Sequence, residues 1–187
     1  MRRIKCMLDI DGCVSAWLKA ACDACGLDIN DPKIRKPLKD GKLLHDVANI
    51  SEEDMWDKIN ANGIKFWSEL ELLPWAKELY NRTSKLADVC FLTSPGRLTK
   101  SAAYAAAGKI LWVDKHFATT KILIGYNKEF CASKNTILVD DSDSKINKFL
   151  EHGGNVFRWP NDLKLLDKEV DLEETLKRLE EAIVALK

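Results

Sequence analysis

Apolar residues along the chain fall in short unbroken runs, separated by longer stretches with helical spacing. Ile4–Leu8, Asp88–Leu92 (DVCFL), Lys121–Ile124 (KILI) and Thr136–Val139 (TILV) read as strands, with Asn155–Phe157 (NVF) as a weaker fifth. Because these runs are continuous rather than alternating, both faces of each strand are expected to be buried. That is the pattern of a parallel sheet covered on both sides. Pro74–Lys85, Leu98–Ala107 and Ser144–His152 have helical character, and Asp171–Lys187 carries leucines and isoleucine at helical spacing after an acidic start. The alternation predicts a doubly wound α/β domain.

One interval breaks the rhythm. From Ser15 to about Leu73 no strand is evident, but helix signals recur. SAWLKAACDACGL reads as an amphipathic helix ending at Gly26, and Ser51-Glu-Glu-Asp54 resembles a capping box opening SEEDMWDKINA. Between them DINDPKIRKPLKDGK is polar and holds two prolines, which predicts a loop or a broken helix. A helical insertion directly after the first strand belongs over the C-terminal edge of the sheet, where such folds bind ligands. The expected organisation is an α/β core from 1–14 and 74–187 with a small helical cap at 15–73. No internal repeat or low-complexity segment is present.

Composition narrows the function classes. The 187 residues suffice for one sizeable domain with an insertion. Lys+Arg and Asp+Glu balance at 29 each, so no global field recruits nucleic acid or an anionic membrane. No apolar run approaches the roughly 20 residues that span a bilayer. The short basic start runs straight into aspartates, unlike a signal peptide. Together these lead to the expectation of a cytoplasmic protein without membrane or nucleic-acid partners. The six cysteines then read as free thiols. Cys22-Asp-Ala-Cys25 has no second C-x-x-C, and His45, His116 and His152 are scattered without ligand spacing, so helix packing is the expected role of that pair.

Chemistry concentrates at the ends of the predicted strands. Asp9 and Asp11 follow the first, Thr93-Ser94 the second, a lysine lies in the third loop, and Asp140-Asp141 follow the fourth. This set suits phosphoryl transfer. A carboxylate at Asp9 can attack phosphorus, and Asp11 can protonate the leaving alkoxide and then deprotonate water. Thr93 can hold a phosphoryl oxygen, and a lysine can neutralise charge on phosphate and nucleophile. Asp140-Asp141 add carboxylates suited to a hard cation such as Mg²⁺. Without a cation and a lysine such acids would repel one another.

The wording of these segments resembles the haloacid dehalogenase-like (HAD) phosphatase superfamily. Asp9-Ile-Asp11-Gly12-Cys13-Val14 is similar to its first motif, VCFLT at Thr93 to its second, and ILVDD at Asp140-Asp141 to its fourth. Within that superfamily FWSELELLPWAKELYNR, DVCFLTSP and KILWVDKHF look like the 5′(3′)-deoxyribonucleotidases. The resemblance runs from about residue 4 to 145 and is weakest across 15–63. It implies a Rossmann-like α/β core with a parallel sheet, and a Mg²⁺-dependent phosphomonoesterase acting on (deoxy)nucleoside monophosphates through an aspartyl-phosphate. The implied partner is a small-molecule nucleotide, and a homodimer is left open.

The resemblance also implies roles. Asp9 would be nucleophile and metal ligand, and Asp11 acid/base with a backbone carbonyl on the metal. Asp141 would be a direct metal ligand, with Asp140 acting through water or orienting the lysine. Thr93 and Ser94 would hold the phosphate. Lys109, Lys115, Lys121, Lys128 and Lys134 are all available as the lysine. Lys128 in GYNKEF best fits the place after the third strand, and Lys134 is second. Arg97 is a candidate for phosphate or sugar, set against a solvated role. Trp17, Phe66 and Trp67 could supply the flat wall a nucleobase needs, against the alternative of packing within the cap. Trp56, Trp75 and Trp112 fit packing. Cys13 stands where a small aliphatic is commoner, which raises the expectation of an oxidation-sensitive site. The rival readings are a phosphatase for another small phosphomonoester or for a nucleic-acid 3′ or 5′ end, and a non-catalytic nucleotide-binding module.

Overall fold

The computed structural model describes residues 3–96 and 100–187. Along the chain the elements are β1 (Lys5–Leu8), α1 (Trp17–Ala24), α2 (Pro32–Lys39), α3 (Leu44–Ala48), α4 (Glu52–Asn60), α5 (Gly63–Ser68), α6 (Ala76–Leu86), β2 (Asp88–Thr93), α7 (Lys100–Phe117), β3 (Ile122–Ile124), β4 (Thr136–Asp140), α8 (Asp143–Glu151), β5 (Asn155–Arg158), α9 (Asp162–Leu166) and α10 (Leu172–Val184). A 3-10 turn, Lys128–Cys131, lies between β3 and β4. The chain divides into two units. One takes in Met1–Ser15, Leu72–Ser94 and Lys121–Lys187; the other takes in Ala16–Glu71 and Pro95–Thr120.

The first unit carries a parallel sheet in the order β3-β2-β1-β4-β5. Burial explains the unbroken apolar runs. Every residue of β4 is buried, as are Cys6, Met7 and Leu8 of β1. One side of the sheet packs Met7, Leu92 and Leu138 against Phe149 of α8. NVF is a short signal, yet β5 extends to Arg158 because it pairs with β4 from Ile137 to Asp140. The strand order reverses at β1: β2 and β3 run outward on one side, β4 and β5 on the other. Such a reversal leaves a crevice at the C-terminal ends of the two strands that flank it, here β1 and β4.

Arg82 of α6 ties that helix to α10. Its Nε and Nη2 donate to the two oxygens of Glu180 at 2.8 and 2.9 Å, and its Nη1 donates to Glu173 at 2.7 Å. The carboxyl of Glu180 is held below its usual range by those bonds.

The second unit is helical. Ser51 caps α4, accepting from the Asp54 N–H at 3.0 Å while its hydroxyl donates to the Asp54 carboxylate at 2.7 Å. The polar DINDPKIRKPLKDGK stretch, expected as loop or broken helix, contains α2 instead. Asp31 caps it by accepting from Lys33 N–H at 2.8 Å, and Pro32 occupies the first turn, where no intrahelical N–H is needed. Pro37 is accommodated within this eight-residue helix. The helix expected at Leu98–Ala107 extends to Phe117, while Leu98 and Thr99 lie outside the described residues. Gly108 is what lets α7 lie close to α5, because a Cβ there would meet the Ile64 carbonyl at 2.8 Å. Trp112, buried beyond that contact, donates its indole N–H to Leu70 O at 2.7 Å.

Among the described residues no helix is long and apolar enough to cross a membrane. All six cysteines are thiols, and Cys22 is buried beside a half-buried Cys25.

Candidate active site

β1 ends at Leu8, in register with Val139 of β4, so the next residues, Asp9 and Asp140, are neighbours at the mouth of the crevice. The Asp9 N–H donates to Val139 O at 2.9 Å, which continues the ladder one step and anchors the backbone of Asp9. The 3-10 turn before β4 places Lys128 between the two acids. Its Nζ is 2.7 Å from Asp9 Oδ1 and 2.7 Å from Asp140 Oδ2. The other Asp140 oxygen accepts the Ser142 N–H at 2.9 Å. Asp140 is therefore held at both oxygens, which suits it to orienting the lysine. Asp141 completes the cluster: Asp9, Asp140 and Asp141 each offer an oxygen within 4.8 Å of the others.

Burial sharpens the electrostatics. Lys128 is 2% exposed and Asp140 is fully buried. Burial opposes the lysine's charge, but Asp9 and Asp140 outweigh it and hold the ammonium above its ordinary range. The Asp140 carboxyl is pushed up to about 6, first by burial and then by the charge of Asp9, against the pull of Lys128. Burial also pushes Asp141 well up, reinforced by Asp9, Asp140 and Asp162. Three carboxylates thus face one ammonium in a poorly solvated site. The uncompensated negative charge and the hard oxygen donors fit a divalent cation such as Mg²⁺.

Gly12 belongs to this cluster for a steric reason. Its φ is +72°, and a Cβ there would lie 2.5 Å from Asp141 Oδ2. The glycine of the D-x-D-G segment therefore leaves room for the fourth-strand acid as well as making the turn. Asp11 sits beyond the ladder, partly exposed, and accepts a hydrogen bond from the Ser15 hydroxyl at 3.4 Å. Thr93 is the last residue of β2 and is buried, with its carbonyl accepting from Gly125 N–H at 3.0 Å, and the half-buried Ser94 follows it.

Cys13, expected to make the site oxidation-sensitive, does not have the character that requires. It is fully buried, and burial followed by the charges of Asp141 and Asp9 pushes its thiol well up. A thiol kept protonated and out of solvent is a poor target for oxidants. Its carbonyl has a different partner, the indole N–H of Trp75 at 2.9 Å, a pairing that no local motif announces.

The other lysines considered for this place stand elsewhere. Lys134 is exposed, Lys121 pairs with Asp88 at the start of β2, and Lys109 is buried in the helical unit with its Nζ 5.0 Å from the centre of the Trp67 ring. The aromatic candidates belong to that helical unit too. Phe66 and Trp67 are 9% and 1% exposed and meet edge-to-face at 5.0 Å. With Lys109 over it as well, the Trp67 ring is taken up in packing and is not offered to a ligand. Trp17 is half-buried, tilted against Trp56 at 6.3 Å. Arg97 lies outside the described residues.

Comparison with solved structures finds proteins that share the fold. A haloacid dehalogenase-like family hydrolase from Streptococcus pneumoniae superposes with a TM-score of 0.53 at 17% identity, covering 90% of this chain and 92% of that one. The fold is the HAD-like one. A protein described as a predicted phosphatase from Clostridium acetobutylicum gives a TM-score of 0.58 at 13% identity, over 97% of this chain and all of that one. The HAD-hydrolase YfnB from Bacillus subtilis, solved bound to magnesium, gives 0.51 at 11% identity over 98% and 99%. At these identities the likeness is one of fold. No protein-family model matches the sequence, and no curated protein does.

Proposed function

We propose that the protein is a Mg²⁺-dependent phosphomonoesterase that hydrolyses (deoxy)nucleoside monophosphates through a phosphoryl group carried on Asp9. The observation that carries this reading is the Lys128 ammonium at 2.7 Å from both Asp9 and Asp140, beside Asp141 at the sheet's reversal point. A structural ion pair would not need a third acid beside it, and a phosphoryl-transfer site does need a nucleophile, a fixed cation and metal-binding oxygens together.

In the first step an Asp9 oxygen forms a bond to phosphorus while the ester P–O bond breaks, and Asp11 gives its proton to the departing alkoxide. In the second, Asp11, now a carboxylate, takes a proton from water as the water oxygen attacks phosphorus. The P–O bond to Asp9 breaks with its electron pair staying on the Asp9 oxygen, which regains its carboxylate, and inorganic phosphate departs. Lys128 neutralises charge near the nucleophile, and Thr93 with Ser94 holds phosphoryl oxygens. Asp9 and Asp141, with the Asp11 carbonyl, would hold the cation, which when bound supplies charge neutralisation for the phosphoryl oxygens.

Cation binding is expected to be visible without substrate. Carboxyls whose pKa is raised on folding favour the folded state at low pH, and that contribution is lost as pH rises from the unfolded value near 4 through about 6 for Asp140. A cation needs those groups ionised. Millimolar Mg²⁺ is therefore expected to raise the melting temperature by about 5 °C at pH 7.5 and by less at pH 5. Equal shifts at the two pH values would contradict binding at this cluster.

The nucleotide preference rests on the resemblance of FWSELELLP and FLTSP to deoxyribonucleotidase segments. Phosphate release from deoxynucleotides, ribonucleotides, sugar phosphates and 3′-phosphorylated oligonucleotides, each with Mg²⁺ and with EDTA, tests it. Nucleoside monophosphates are expected to be the best substrates and EDTA to stop turnover. Good turnover of sugar phosphates with every nucleotide inert would overturn the substrate class. Preference for oligonucleotide ends would move it to nucleic acid, and Mg²⁺-dependent binding without release would make this a binding module.

A further inference from the structure

The two aspartates of the site are anchored differently. Asp9 is held by the sheet ladder through its N–H and by Lys128 through its carboxylate. Asp11 lies in a loop folded on itself, with Val14 and Ser15 N–H both donating to Ile10 O at 2.9 Å and Gly12 N–H donating to Ser15 O at 3.1 Å. That loop is tied to the segment before α6 by two further bonds. Leu73 N–H donates to Val14 O at 2.9 Å, and the Trp75 indole N–H donates to Cys13 O at 2.9 Å. Trp75 is the N-cap residue of α6 and is 3% exposed, and its own carbonyl accepts the Leu79 N–H at 2.8 Å. The donor is thus mounted on the first turn of an eleven-residue helix. A hydrogen bond in such a buried place is costly to leave unmade, so the carbonyl two residues beyond Asp11 has one preferred position.

We propose that Trp75 is a positioning residue for the general acid: through the Cys13 carbonyl it holds the loop so that Asp11 faces the leaving group, with Ser15 bracing the carboxylate itself. The effect on turnover rests on the phosphomonoesterase reading; the clamp on the loop does not. Nothing in phosphoryl transfer uses an indole directly, and the bond joins residues 62 apart in sequence. Its place in the fold therefore points to orientation.

Trp75→Phe keeps an aromatic ring, though a smaller one, and removes the N–H. A leaving group that needs no proton, p-nitrophenolate, separates the general acid from the nucleophile. With a nucleoside 5′-monophosphate the variant's kcat/KM, which reports the steps up to leaving-group departure and so excludes the later attack of water, is expected to fall about tenfold or more, while kcat/KM for p-nitrophenyl phosphate falls about threefold or less. Hydrogen exchange supplies a readout that needs no turnover: amides of residues 10–15 are expected to exchange faster in the variant, and those of β1 unchanged. Ser15→Ala, which leaves the packed ring in place, is expected to give the same leaving-group-dependent loss should Trp75→Phe melt too low to assay.

Unchanged exchange at residues 10–15 would overturn the clamp. Faster exchange with equal losses in kcat/KM on both substrates would overturn its service to Asp11 as the acid. Wild-type protein inert towards both substrates would overturn the phosphatase reading instead, and the exchange data would still decide the clamp.

Discussion

Asp9→Asn is expected to lower phosphate release by on the order of 10³-fold or more while leaving the protein folded. The amide has the size of the carboxylate but cannot form the bond to phosphorus that the proposed first step requires. The fold should tolerate it because the Asp9 backbone is held by Val139 O, which the substitution does not touch, and Lys128 keeps Asp140 as partner. Removing one of three clustered acids also relieves repulsion on Asp140 and Asp141, since the charge of Asp9 helps to raise both. Steady-state release measured beside a thermal melt checks the pair of outcomes. Wild-type activity in the folded variant would end the covalent mechanism, whereas loss of folding would say that Asp9 is structural first.

The largest effect on stability is expected from Lys128→Met. The substituted side chain fills similar space and leaves the buried Asp9 and Asp140, with Asp141 beside them, without the ammonium that pairs the first two. Breaking a buried pair by removing one partner costs about 3–5 kcal/mol, which in a chain of this size lowers the melting temperature by about 10 °C. The sign with pH follows from the raised carboxyls. Protonated, they tolerate burial; ionised, without Lys128, they do not, so stability is lost as pH rises through about 6 and beyond. The gap between variant and wild type, measured in EDTA, should therefore widen from pH 5 to pH 8. A gap independent of pH would mean that Lys128 stabilises by packing alone. Turnover should fall as well, since the charge beside the nucleophile is gone.

How much of this was legible in the residues differs from element to element. All five strands lie where the apolar runs fall, but burial on both faces holds only for the inner β1, β2 and β4; the edge strands β3 and β5 are half-buried, with Leu123 and Arg158 exposed. Strand ends are also where this topology places chemistry, so Asp9, Asp11, Thr93 and Asp140-Asp141 could be picked out without coordinates. Lys128 could not be separated from its alternatives by type, because what distinguishes it is a 2.7 Å approach to two acids.

Helix boundaries failed where local signals conflict. Two prolines argued against α2, while the Asp31 cap and Pro32 in the first turn favoured it. The run beyond Ala107 continues as helix because Gly108 allows α7 to pack close to α5, a long-range reason. Trp75 was legible only as a packing residue, because hydrogen-bonding by an indole N–H depends on a partner 62 positions away. The same holds for Gly12, whose turn was readable but whose closeness to Asp141 was not. Cys13, the odd residue of the D-x-D-G segment, turns out to be buried, with its backbone carbonyl making the informative contact.

The central claim is that Asp9 carries the phosphoryl group. Rapid acid quenching of the Mg²⁺-loaded protein during turnover, followed by digestion and mass spectrometry, reads it directly. A phosphoryl-group mass increase is expected on the peptide containing Asp9, lost on treatment with hydroxylamine and absent from Asp9→Asn. Steady phosphate release with that peptide unmodified at every quench time, and with Asp9→Asn still turning over, would contradict it.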